Sequence, residues 1–580
     1  MANAPTAEDA ERQALTFTDF DMDLRLRPAD QHIAVRALIA VRNDGKTALV
    51  HIPLQISSSL NWERIRLNGK DQVFPVATLN SDADHTGQLH EAAITLARPL
   101  APGASLQLDV TYSGAIAPSA QRLLTIGTPD DVAAHSDWDS ISIPFTGLRG
   151  FGNVVWYPAS SVPVILGDGA RLFDEIGEHK LRMANAHFRL RLTTEYPHGL
   201  APTIALVNGH AVPLVTTEAT DPGQEVDGVA SADSGTTTLG FEAPSLFVAI
   251  RIPHLATNTT IFTLPEDESA VPAWTAATAE VTPFLQGWLG RRPRAQLTLL
   301  DLPDPQDAPY ETGALLVTAI RPANREQLTG IMAHALTHSW MQSPRAWLSE
   351  GVAHFMGTLW VEKQRGREQA IGSLEAGRPA LALAEPESPG QNPGQPLASA
   401  ISPVYFRTKA TYVLWMLRDV AGDPTLSAAL RAYDPAVDFA TDTGRSSFEK
   451  LLEQAGTRPD LSAFFADWVD KDKGLPDLAI DGVFPSETKN DSWVVSVNVS
   501  NSGYAAAEVP VTVRSDTNTV TQRLMVPARG KATQRITIQG KPTEVQVNDG
   551  TIPETEASVH LTKLDDAAPA TSSQPVMPTR

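Results

Sequence analysis

The sequence predicts a multidomain α+β chain: an N-terminal antiparallel β-sandwich, a mainly helical core and a C-terminal β-sandwich. Three observations carry this. The chain has 580 residues, beyond the ~250–300 residues at which a single core stops growing, so about three to four domains are expected. Apolar and polar residues alternate from about Leu15 to Thr260 and again from about Asp477, which is the pattern of half-buried strands. From about Val271 onward, between these regions, the apolar residues recur at helical spacing. The expected boundaries are 15–265, 266–475 and 476–565, with a tail at 566–580.

Taken in order, Phe20-Asp21-Met22-Asp23-Leu24-Arg25-Leu26 alternates strictly and His32 to Val41 is a second strand closed by the turn Asn43-Asp44-Gly45. Ser105 to Tyr112 and His187 to Leu192 continue the pattern. Thr216 to Gly235, rich in Thr, Asp, Gly and Ser, reads as a surface loop. In the core, Ala276 to Leu289 reads as a helix and Arg294 to Leu300 as a strand. Gln327 to Gln342 is a helix with Pro344 just beyond its end, where proline commonly falls. Trp347 to about Gly366 is the next helix, Pro379 to Ala400 a loop, and Tyr405 to Val420 and Phe448 to Ala455 further helices. Ser492 to Val499, Val509 to Val513 and Thr533 to Ile538 are strands of a small sandwich. The Ala-, Pro-, Ser- and Thr-rich tail after Asp565 reads as disordered.

Bulk composition excludes several classes. The net charge is −21 and the pI about 5.1. No excess of Lys and Arg exists to neutralise phosphates, so nucleic acid is not a partner. With no cysteine, disulfides, thiolate nucleophiles and Cys-based zinc sites are excluded. The first residues lack a basic segment followed by an apolar one, so no signal peptide is read. No apolar run reaches the length of about eighteen residues that a transmembrane segment needs. A soluble chain is expected, cytoplasmic by default and extracytoplasmic if it is a processed form. Neither substrate nor oligomeric state follows from composition.

His334 and His338 lie four residues apart on a predicted helix. At ~3.6 residues per turn both imidazoles fall on one face, a spacing that suits zinc. Such a pair also arises by chance. What makes a ligand set is Glu350, near the start of the next helix, after a short link that lets the two helices pair antiparallel. Two histidines and one carboxylate leave a fourth position for water.

The segment His334-Ala335-Leu336-Thr337-His338-Ser339-Trp340, followed by Trp347-Leu348-Ser349-Glu350-Gly351-Val352-Ala353, resembles the alanyl-aminopeptidase family of gluzincin-type zinc metallopeptidases, which includes leukotriene hydrolases. That family's pattern is H-E-x-x-H-x-W and then W-L-x-E-G-x-A. Lys409 to Arg418 is similar to its K-G-A-x-V-L-x-M-L-R helix, and the N-terminal Asp23-Leu24-Arg25-Leu26 and Val41-Arg42-Asn43 strands are similar to its β-domain. The resemblance implies a thermolysin-like core before an Ig-like C-terminal sandwich, Zn2+ held by His334, His338 and Glu350, and peptide hydrolysis by a zinc-bound water.

Four departures qualify that implication. The family's general base directly follows the first histidine, and here that position is Ala335. The family's G-x-M-E-N loop, which holds the substrate, matches Gly313-Ala314-Leu315-Leu316-Val317, with Leu316 in place of the carboxylate that binds a free amino terminus. Glu311, two residues earlier, either substitutes for it or is a loop carboxylate. The family's catalytic Tyr position is Arg407. Tyr405 and Arg407 are the oxyanion candidates, unless Arg407 simply pairs with an acidic neighbour. The link from His338 to Glu350 is shorter than the family's by roughly two helical turns' worth of residues. His354, one turn after Glu350, is an outer-shell partner of a ligand, a fourth ligand, or an ordinary polar residue. Trp340, Trp347, Trp360 and Trp415 read as core.

Three functions remain in view: a metallopeptidase working through an unconventional base; a pseudopeptidase that keeps zinc and cleft and binds a peptide or protein partner without turnover; or a structural protein in which the helical region is a relic.

Overall fold

The computed structural model describes residues 7–168, 171–218, 228–385, 394–440, 447–456 and 460–564. It has N-terminal β-sheets, a helical middle and C-terminal β-sheets. The chain divides into two compact units: Met1–Val361 with Leu397–Leu461, and Glu362–Pro396 with Ser462–Arg580.

The first unit opens on a nine-stranded sheet. Its central strands Leu15–Arg27 and His32–Asn43 pair antiparallel over their length. Phe20, Met22, Leu24 and Leu26 are buried from one strand, and Ile33, Val35, Ala37, Ile39 and Val41 from the other, as a period of two requires. The sheet is mixed rather than purely antiparallel, because Leu15–Arg27 runs parallel to His187–Tyr196. That register sets Phe20 beside Phe188, with ring centroids 5.8 Å apart. A three-stranded and a four-stranded sheet follow; Ile52, Leu54, Ala205 and Val248 join one core with the large sheet, while Ile204, Leu206 and Phe247 pack in a second cluster with Leu300 and Val317.

Two expected loops carry regular structure. Within Thr216 to Gly235, strands Val215–Glu218 and Gly228–Asp233 pair antiparallel, and residues 219–227 lie outside the described ones. Val215–Glu218 is an edge strand exposed on both faces, so it shows no apolar alternation. Within Pro379 to Ala400, Arg378–Ala384 is helical with Pro379 in its first turn. Proline is tolerated there, since the missing N–H would have no intrahelical partner anyway. Residues 386–393 and the tail from 565 lie outside the described residues.

A five-stranded sheet introduces the helical middle, in the order Ile252–Ala256, Thr259–Thr263, Leu297–Asp301, Leu315–Thr318, Tyr310–Thr312. Its three central strands are parallel and the two outer pairings antiparallel. Helix Val271–Leu289 supplies one of its crossovers. The expected helix Gln327 to Gln342 is two pieces, Arg325–Ala335 and Thr337–Trp340, separated at Leu336. Ala346–Arg365 follows. The expected helix from Tyr405 begins as a π-helix, Val404–Lys409, and continues as Ala410–Ala421. Trp340, Trp347, Trp360 and Trp415 are all buried.

The second unit carries two antiparallel sheets, one of three and one of four strands. Val495, Val497 and Val499 from one sheet and Val509, Val511 and Val513 from the other are all fully buried, at the spacing of two that a strand requires. Among the described residues no helix is long and apolar enough to cross a membrane.

Candidate metal centre

The site begins on the outermost strand of the five-stranded sheet. Tyr310–Thr312 folds back on Leu315–Thr318 through Gly313 and Ala314. Gly313 adopts φ 49°, a left-handed conformation that favours glycine, and a Cβ there would lie 2.5 Å from Oε1 of Glu242. In this hairpin Glu311 stands opposite Leu316. Directly opposed residues share a face of the sheet, so Glu311 carries a carboxylate on the face where Leu316 is buried.

The histidines come from the helix that follows. Asn324 caps it, its Oδ1 accepting from the Gln327 N–H at 2.8 Å, which satisfies one of the free donors of the first turn. His334 closes this helix and His338 sits in the one-turn helix beyond Leu336. Their rings are 5.2 Å apart. Nε2 of His334 is 3.1 Å from Oε2 of Glu311, a hydrogen bond. Nε2 of His338 is 3.7 Å from Oε1 of Glu311, too long for one. Both of these last atoms are buried and have no hydrogen-bond partner. Burial opposes the charge on Glu311, yet the two imidazoles hold its carboxyl below the usual range. His334 is raised, the carboxylate outweighing burial. His338 is lowered by its burial.

Glu350 and His354 face the site from Ala346–Arg365. The His354 ring is 4.6 Å from that of His334. Arg407 donates from Nε to Oε2 of Glu350 at 3.1 Å, so the guanidinium pairs with an acidic neighbour. Gly351 permits this approach: a Cβ there would lie 2.6 Å from Cβ of Ala410, on the helix that continues the Arg407 segment. Burial opposes the Glu350 charge, but Arg407 and the histidines hold its carboxyl at about 2. Burial and the neighbouring His334 push His354 down to about 3. Tyr405 is buried in the π-helical segment, with the Lys409 ammonium 5.5 Å from its ring centroid.

Two sets of potential ligand atoms therefore meet here, each within 4.8 Å of one another: Glu311 with His334 and His338, and His334 with Glu350 and His354. His334 belongs to both, and the sequence triad of His334, His338 and Glu350 is divided between them. Ala335 is fully buried and offers no polar group. Of the stretch Gly313 to Leu316, Gly313 lines a cleft of about 520 Å³, while the side chains of Ala314, Leu315 and Leu316 are buried. Glu311 and Glu350 line the same cleft, together with Lys180 and Glu242. Burial pushes Glu242 up to about 7 and lowers Lys180. No local pattern marks these two residues, since the fold alone brings a β-region loop and helix Arg171–Met183 to the cleft. A third set, His135, Asp304 and Asp307, lies at the surface.

The donor chemistry fits a zinc ion. Bonds of ~2.0–2.2 Å at a tetrahedral centre put neighbouring ligand atoms about 3.3–3.5 Å apart. The separation of His334 Nε2 from Glu311 Oε2, 3.1 Å, lies close to that edge. An unpaired buried polar atom costs ~1–3 kcal/mol, and two such atoms face each other here.

No protein-family model matches the chain, and no curated protein does. Solved structures do match, among them an M1 zinc metallopeptidase from Deinococcus radiodurans, at 18% identity over 76% of this chain and 90% of that one, with a TM-score of 0.45. A likeness at this level fixes neither family nor activity.

Proposed function

We propose that this protein holds a zinc ion between His334 and His338 with a carboxylate as third ligand, and takes a peptide or protein ligand into the adjoining cleft. The observation that carries this reading is the facing pair of buried, unbonded atoms, Nε2 of His338 and Oε1 of Glu311. The resemblance of the sequence around the histidines to zinc metallopeptidases supports it; by pattern that resemblance points to Glu350, while Glu311 is the carboxylate that stands against both histidines. The coarse order of sheets, helices and sheets is compatible with an N-terminal sandwich, a thermolysin-like core and an Ig-like end, divided near 265 and 475.

When bound, the ion supplies a Lewis acid and acidifies a water. The chain's own residues do less than a peptidase needs. Ala335 neither takes nor returns a proton, and general acid–base catalysis typically contributes ~10²–10⁴-fold. Arg407 is engaged with Glu350, and Tyr405, the other oxyanion candidate, is buried. Gly313 to Leu316 form the hairpin edge against which a ligand would lie. The protein is accordingly read as a zinc-bearing peptide-binding member of the metallopeptidase type, with turnover lost at Ala335. The test is metal analysis of the purified chain, with a mixed-peptide cleavage assay on the parent and Ala335→Glu. Zinc in the parent, no cleavage by it and cleavage by the variant are expected. Chelator-sensitive cleavage by the parent overturns the loss of turnover, and absence of zinc overturns the site.

A further inference from the structure

The carboxylate that completes the metal set need not be the one nearest in sequence pattern, and the local chemistry distinguishes the two candidates. Glu311 addresses both histidines, one oxygen 3.1 Å from Nε2 of His334 and the other 3.7 Å from Nε2 of His338. Its Oε1 is buried and unbonded, as is the His338 nitrogen that it faces. An acceptor and an imidazole nitrogen at that separation, neither with a hydrogen-bond partner, can share a cation between them.

Glu350 is differently placed. Its charge is already met by Arg407 at 3.1 Å, and neither of its oxygens is left buried without a partner. Its ligand atoms group with His334 and His354, not with His338. Drawing Glu350 toward His338 would cost the Arg407 contact. Glu311 needs no such movement. Its strand is held by pairing with Leu315–Thr318.

Resting on the reading that His334 and His338 bind zinc, we infer that Glu311, from the edge strand, is the carboxylate ligand of that ion, and that Arg407 keeps Glu350 outside the set.

The test is a zinc titration of the full-length, metal-stripped protein against a chelator of known affinity, on the parent, Glu311→Gln and Glu350→Gln. Cobalt(II) absorption is recorded on the same samples. Loss of even an outer-shell partner typically weakens metal binding ~10–100-fold, so Glu311→Gln is expected to weaken zinc at least about 100-fold and to change the cobalt spectrum. Glu350→Gln is expected to weaken zinc far less than Glu311→Gln, by no more than about 10-fold, the low end for a group outside the coordination shell, and to leave the cobalt spectrum unchanged. Unchanged zinc affinity in Glu311→Gln overturns the inference, and so does a comparable loss in Glu350→Gln. A parent that binds no zinc fails the underlying reading instead. Anomalous scattering from a zinc-loaded crystal of the parent identifies the ligands without any substitution, should a variant not fold.

Discussion

Gly351 adjoins Glu350 and sits where helix Ala346–Arg365 meets Ala410, so replacing it with alanine tests whether that crossing is as tight as the geometry says. The added Cβ would stand 2.6 Å from Cβ of Ala410 and 3.4 Å from the Phe406 carbonyl. Carbon atoms pack best at about 3.5–4.0 Å, so the segments must part by about 1 Å. Inserting a methyl group into a packed core costs ~1–3 kcal/mol, against a gain of about 1 kcal/mol in helix propensity. Gly357 lies in the same helix with nothing within 4 Å of its added Cβ, so Gly357→Ala takes the propensity gain alone. The difference between the two variants then isolates the packing term, at about 1–3 kcal/mol. It is read from guanidinium midpoints at unchanged m-value, followed by tryptophan fluorescence. Gly351→Ala at least as stable as Gly357→Ala would refute the close crossing and, with it, the placement of Arg407 against Glu350.

Other substitutions and conditions have definite expected outcomes. Arg122 is buried, donating twice to Asp137 at 2.7 and 2.6 Å and to the carbonyls of Asp82 and Gly152 at 2.6 and 2.7 Å. Arg122→Met strands a buried carboxylate and should cost about 3–5 kcal/mol; a loss under 1 kcal/mol in chemical denaturation would count against the pair. Burial pushes Glu175 up to about 7, with Arg182 only partly offsetting it. The folded protein thus favours the protonated form, a contribution complete below the unfolded value of 4.5 and lost as pH rises through about 7. Glu175→Gln should therefore gain on the parent across that window by up to about 3 kcal/mol and then level off; a gap independent of pH would contradict this. Zinc at about a hundred times its dissociation constant should stabilise the parent by about 2.7 kcal/mol, seen as a rise in Tm that a chelator reverses and that His338→Gln lacks.

Much of this architecture could be read from local pattern. His32–Asn43 alternates cleanly because one face of its sheet is buried, and the spacing of His334 and His338 survives the break at Leu336 because both pieces keep helical rotation. What the sequence hid was set by contacts distant along the chain. Val215–Glu218 is exposed on both faces, so its strand character rests on pairing with Gly228–Asp233 and not on composition. Val404–Lys409 has ordinary helix-forming residues, and its π-helical winding is invisible without its packing partners. Glu311 reaches the histidines because strand register sets it opposite Leu316. Sequence reasoning marked Glu311 only as a stand-in for a missing substrate contact. The pairing of Arg407 with Glu350, 57 residues apart, was anticipated only as the plain alternative to an oxyanion role.

The central claim is a metal ion at the paired histidines, and the most direct measurement is the zinc stoichiometry of the intact chain by equilibrium titration. One zinc per chain is predicted, with binding removed by His334→Ala and by His338→Ala while each variant stays folded. No zinc bound by the parent, or binding indifferent to both substitutions, would contradict it.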